Sequence, residues 1–278
     1  MRVPLRKALE SVLDGWQDDL PSPWREVASG TTLGFADMDQ SLELDVWEPV
    51  FPARRGRFFP GAPKGAHIFR AFDGLAPEQV RCVVLGQDPY PCPAFSTGRA
   101  FEAGKVAEWR ELNKMFSVSV RVFLQQICAA RTGDDSYAMA FSEWPRLLRD
   151  IEAGRVTLEP ASEIVNRWVG EGVLLLNSSL TLSRFKIEVD PHQRRGHVTV
   201  WRPFIQTVLR TLAARKAPLV CIGFGDVAAD NLKAARIPEA QLILREHPAK
   251  GDQVLALENP FVLANRKLRD MGAAVISW

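Results

Sequence analysis

Cysteine is scarce: four residues in 278, at positions 82, 92, 128 and 221, with no two spaced as a C-x-x-C pair. That spacing excludes a zinc finger and a four-cysteine iron–sulfur centre. Cys82 and Cys221 sit inside apolar runs and read as small buried hydrophobes. Few and unpaired thiols suit a reducing compartment. Long hydrophobic runs are also missing, none approaching the ~20 residues that span a bilayer. The opening MRVPLRKALESVLDGW is charged and helix-like, without an apolar stretch before a small-residue cleavage site. A cytoplasmic protein with no membrane contact is expected. Charge of one sign is absent too: Lys+Arg 35 against Asp+Glu 33 gives a net +2. That total neither demands nor excludes a nucleic-acid partner, because local clustering decides. There is no P-loop and no G-x-G-x-x-G, so nucleotide-phosphate and dinucleotide cofactors lack local support. No repeat, low-complexity tract or linker interrupts the chain. With 46% apolar and 24% charged residues it has ordinary globular composition.

What is present is an alternation. Short apolar runs at 80–85 (VRCVVL), 173–176 (VLLL), 219–222 (LVCI) and 241–244 (QLIL) are bounded by turn signals and read as buried strands. Helical patterns lie between them, near 106–130, 142–152, 160–169, 201–215, 226–235 and 260–271. Strand–helix alternation implies a parallel sheet with helices on both faces. Ligands on such sheets bind beyond the carboxyl ends of the strands. Residues 1–14 and 40–48 read as short helices. The segment 49–64, rich in Pro, Gly and Arg, shows no periodicity. The expectation is one domain, 1–278, with an N-terminal extension over 1–42.

The residues following each run carry the chemistry. After the first come Gly86, Gln87, Asp88, Pro89 and Tyr90, then a loop to Gly98-Arg99-Ala100-Phe101. After the second comes Asn177, and after the fourth Glu246-His247-Pro248. Each alone is also what an ordinary turn or cap contains. Together they put a carboxylate, two aromatics, an amide and an imidazole at three strand ends. That set suits a flat, polar heterocycle: a ring to stack on, an amide to pair with, and an acid and imidazole to act on a bond at its edge.

The segments VVLGQDPY (83–90), GRAF (98–101), GVLLLNSSLT (172–181), EHP (246–248) and NPFVLANRKL (259–268) resemble the family-1 uracil-DNA glycosylases, in order and spacing, across roughly 43–278. The resemblance implies a three-layer α/β/α fold with a central four-stranded, mainly parallel sheet, and no metal or organic cofactor. It implies a monomeric enzyme that everts uracil from DNA and hydrolyses its N-glycosidic bond, releasing uracil. Carried over residue by residue, Asp88 would activate the water and stabilise the cationic sugar. His247 would donate to uracil O2. Gln87 would meet the base through its backbone, Tyr90 would crowd C5 against thymine's methyl, Phe101 would stack on the base, and Asn177 would read N3–H and O4. DNA contacts would fall to Ser178, Gly225, Pro248, Lys250 and Gly251. The basic stretch 183–202, with Arg184, Lys186, Arg194, Arg195 and Arg202, is a further candidate, and RRGR at 54–57 a weaker one. Trp201 reads as core.

Several positions depart from the family pattern. Pro91 replaces the His that usually follows GQDPY. Glu102 replaces a phosphate-pinching Ser, and a carboxylate there repels DNA unless it points away or finds an Arg, for which Arg99 is nearest. Gly225-Asp226 replaces Gly-Ser, and AEWRELNKMF (107–116) stands where a Pro-Pro-Ser stretch is usual. The segment 120–160 is longer than the family needs. Gly251 stands where a wedging Leu would fill the hole left by the everted base, which implies weak duplex opening and a preference for single strands. Two alternatives follow: a module that binds uracil or abasic sites with little turnover, and a glycosidase of free nucleosides.

Overall fold

In the computed structural model, which describes residues 1–57, 59–114, 118–184 and 191–278, the four apolar runs form strands that begin up to two residues later than their patterns suggest. In chain order the strands are β1 (Arg2–Pro4), β2 (Glu43–Asp45), β3 (Cys82–Gly86), β4 (Val173–Asn177), β5 (Val220–Phe224) and β6 (Leu242–Arg245). The helices are α1 (Leu5–Leu13), α2 (Ser22–Val27), α3 (Val118–Thr132), α4 (Trp144–Glu152), α5 (Ile164–Gly170), α6 (Val198–Ala214), α7 (Asp226–Ala234), α8 (Asp252–Leu255) and α9 (Pro260–Asp270). β3 to β6 form one parallel sheet in the order β4-β3-β5-β6. Register sets Gly86 beside Asn177, so the two central motifs end side by side.

Alternation along the strands divides the core. Val83, Leu85, Leu174, Leu176 and Cys221 face one layer with α1, α6 and α7. Val84, Leu175, Val220, Ile222 and Phe224 face the other with α3, α5 and α9. β3, β4 and β5 are buried throughout, which is why they read as continuous apolar runs rather than alternating ones. Cys82 and Cys221 are buried free thiols, as expected, and Cys92 is exposed.

The N-terminal residues join the same core. Leu5, Leu9 and Leu13, spaced four apart on α1, are buried with Trp16 against the first layer. The helix expected at 40–48 is instead β2, antiparallel to β1. Leu44 alone of its three residues is buried, a period of two, and Arg2 lies 3.5 Å from Asp45 across the ribbon. Within the RRGR run the first arginine is structural, whereas Arg55 and Arg57 are exposed. Arg54 is buried, binding the Asp19 carboxylate and the carbonyls of Val12, Asp14 and Gly15. Arg55 binds Asp73.

The pattern near 106–130 divides into a 3-10 turn, Trp109–Lys114, and α3. The long segment after α3 builds a small core of its own: Tyr137, Trp144, Leu147 and Leu148 close over Val120, Leu124 and Cys128. No described helix is long and apolar enough to cross a membrane.

Candidate active site

The ends of β3 and β4 meet so closely that position 86 has no room for a side chain. A Cβ there would fall 2.7 Å from Asn177 Oδ1 and 3.5 Å from the Phe101 ring, so only glycine lets amide and ring converge. Asn177 is 3% exposed. Its side chain makes no hydrogen bond to any described group, so the amide's donor and acceptor remain free for a ligand. Ser178 beneath it is wholly buried, and its backbone N–H and its hydroxyl both donate to the Gly86 carbonyl at 2.9 Å. The sequence assigned Ser178 to DNA; the structure spends it on bracing the strand ends.

Phe101 adopts a left-handed φ of 59°, rare for a bulky residue, and such backbone concentrates where surroundings enforce it. One ring face stacks on Phe123, 4.4 Å between centroids and 11° between planes, and Phe224 meets it edge-on at 5.3 Å. The loop is pinned by the Ala100 N–H donating to the Leu175 carbonyl at 3.1 Å. It is pinned again by a buried ion network. Glu102 lies 3.3 Å from Arg70 and 3.5 Å from Arg99, and Arg99 also donates to Asn166 Oδ1 at 2.9 Å. The carboxylate at 102 thus points inward onto two arginines. Arg70 and Phe123, which complete this support, carried no sequence signal tying them to the site.

Asp88 is half-buried beyond the end of β3. Removal from water raises its carboxyl from 3.8 to about 7, against the opposing pull of the Gln87 amide 3.5 Å away. Burial also pushes the Tyr90 hydroxyl up. His247 follows β6, and a Cβ at Gly225 would lie 3.4 Å from its Cβ and 3.8 Å from Gln87 Oε1. The β3, β5 and β6 ends therefore converge as well. Burial, aided by Lys250, lowers the His247 pKa, so the ring is neutral at pH 7. The Ala249 N–H donates to Nδ1 at 3.2 Å, which leaves the proton on Nε2, available to a ligand.

The expected DNA-contacting residues separate into two groups. Arg184 is turned onto the extension, donating to the Glu43 carbonyl at 2.8 Å and Glu48 at 2.9 Å. Arg195 pairs with Asp39 at 2.7 Å. Lys250 pairs with Glu246 at 2.7 Å, and Pro248 is buried. Arg194 and Arg202 are exposed, and Lys186 lies outside the described residues. His197, in the same stretch, is fully buried between Thr181 and Ser183, with its pKa lowered to about 3 by desolvation. Trp201 is core. Gly251 has φ 54° and ψ −113°, a conformation closed to leucine without strain. A cleft of about 550 Å³ is lined by residues between 53 and 73. Among the described residues no group of three or more His, Cys, Asp or Glu could hold a metal ion.

Known proteins similar to this chain point one way. The uracil-DNA glycosylase of Thermobifida fusca is 28% identical over 261 residues, covering 93% of each chain. That of Parafrankia sp. is 29% identical over 218 residues, 78% of this chain and 80% of the other. Among solved structures, the wild-type UNG of Nitratifractor salsuginis superposes with a TM-score of 0.61 at 24% identity, covering 97% of this chain and 98% of that one. A mimivirus UNG variant in complex with UGI gives 0.54 at 16% identity, over 84% and 77%. These structural likenesses speak to the fold. No protein-family model matches the chain.

Proposed function

We infer that this chain is a member of the uracil-DNA glycosylase superfamily and that it hydrolyses the N-glycosidic bond of uracil in DNA, the first step of base-excision repair. The observation that carries the reading is the convergence at Gly86: a free, buried amide and a ring face brought together, with a carboxylate beyond β3 and a neutral imidazole beyond β6.

The chemistry follows from that set. As the bond between C1′ and the base nitrogen breaks, the sugar becomes electron-poor and uracil leaves as an anion. Asp88, ionised, stabilises the sugar and accepts a proton from the water that attacks C1′. His247 Nε2–H donates to O2 as charge grows there, and a neutral donor suffices beside an anionic leaving group. Asn177 pairs with N3–H and O4, a pattern that cytosine inverts at the cost of unpaired buried groups. Phe101, already supported from behind by Phe123, offers its other face to the base. Tyr90 fills the space a thymine methyl would need. The base leaves the stack to reach this pocket. The reading includes a monomer in the cytoplasm, acting without cofactor.

Incubation with uracil-containing single- and double-stranded oligonucleotides and with deoxyuridine tests it. Uracil and alkali-labile sites are expected from the oligonucleotides alone. Tight binding without release would identify a binding module, and turnover of deoxyuridine a nucleosidase.

A further inference from the structure

We propose that the turn at 137–141, in the long segment after α3, presents Met139 as the apolar side chain that enters duplex DNA and fills the gap behind the everted base. The proposal rests on the reading of the neighbouring pocket as a uracil-DNA site.

Met139 is 73% exposed, while Tyr137 before it is buried and Phe141 after it is half-buried. Single exposed apolar residues are ordinary on protein surfaces. This one differs in how firmly its turn is held. From below, Gln125, wholly buried on α3, donates through one Nε2 to the carbonyls of Tyr137, at 2.9 Å, and Ala140, at 2.8 Å. A buried amide spent on two carbonyls flanking one exposed methionine fixes the tip against solvent. From the side, the Phe141 N–H donates to Asp252 Oδ1 at 2.6 Å. The Arg121 guanidinium lies 4.8 Å over the Phe141 ring. The Tyr137 hydroxyl is held by Asp150 at 2.7 Å.

Asp252 directly follows Gly251, so these bonds fasten the turn to the loop that carries His247. A Cβ at Gly251 would lie 3.9 Å from the Phe141 Cβ. The two segments form one rim, in which the His247 side has no side chain at 251 and the 137–141 turn has a projecting methionine. Insertion of Met or Leu between base steps is a general means of stabilising unstacked DNA, and an unbranched thioether adapts to an irregular gap. Arg146 lies 3.5 Å from Asp134 and 3.4 Å from Glu143, which offsets part of the repulsion these acids exert on the phosphates. The weak duplex opening expected from Gly251 alone is thereby offset by a residue from another part of the chain.

The test is kcat/KM for uracil release at one fixed salt concentration, on a U·A duplex and on the same single strand. Parent, Met139→Ala and Met139→Leu are compared, all surface changes compatible with folding. Met139→Ala is expected to lose about tenfold or more on the duplex and to stay within about twofold of the parent on the single strand, with Met139→Leu restoring most of the duplex activity. Equal efficiency of Met139→Ala and parent on the duplex, or an equal loss on both substrates, would overturn the proposal. A parent protein that releases no uracil from the single strand would overturn the functional reading along with it.

Discussion

Asp88 shows how a single side chain at the strand ends can be costly to the fold. Burial holds its carboxyl at about 7 rather than near 3.8. A folded-state pKa above the unfolded one means that its protonated form is favoured by folding, so the associated stability is present below pH 4 and lost as pH rises toward 7. Asp88→Asn removes that penalty. Its Tm should therefore exceed the parent's, by a margin larger at pH 8 than at pH 5, and a margin independent of pH would contradict the burial argument. In the proposed reaction the same ionisation sets the rate. kcat/KM should rise with pH through about 7, because His247, with its pKa lowered, is already neutral there. In the proposed reaction the neighbouring residues select the base. Asn177→Asp should weaken rejection of cytosine and Tyr90→Ala rejection of thymine, each read as release of the wrong base from matched oligonucleotides. Unchanged base choice in both variants would remove these side chains from the pocket.

At the scale of elements, strand ends were legible and loop packing was not. The apolar runs at 80–85 and 173–176 locate β3 and β4 because strands buried on both faces leave an unmistakable pattern, and the motif residues follow from where those runs stop. The 40–48 segment misled because three residues carry too short a period, and its strand is set by pairing with Arg2–Pro4, forty residues away. The Glu102 network was half visible. Arg99 lies three residues before it in sequence, whereas Arg70, Asn166 and the ring of Phe123 arrive only through the fold. The network makes the Phe101 loop a rigid element. Glu102→Ser, the residue expected from the family, should therefore leave two arginines without their carboxylate. It should lower stability by about 3 kcal/mol in urea unfolding, and retention of parental stability would show that the pairs contribute nothing.

Over the whole molecule, the strand-end site and the arginine-bearing surface differ in how they are written in the sequence. The pocket is local to strand ends, so order and spacing reveal it. The cationic surface depends on which arginines find acids, and that is decided by distant partners: Glu48 takes Arg184, Asp39 takes Arg195 and Asp19 takes Arg54. Counting basic residues between 183 and 202, or in the run 54–57, could not anticipate those pairings. Glycosidic hydrolysis at the converged strand ends is tested by one comparison. Uracil release from a uracil-containing single strand is measured under single-turnover conditions for the parent and for Asp88→Asn, with DNA affinity measured alongside. The expected result is release by the parent and a rate lower by roughly 10²–10³-fold in the variant, at affinity within about threefold. Equal rates for the two proteins, or no release by the parent, would contradict the account.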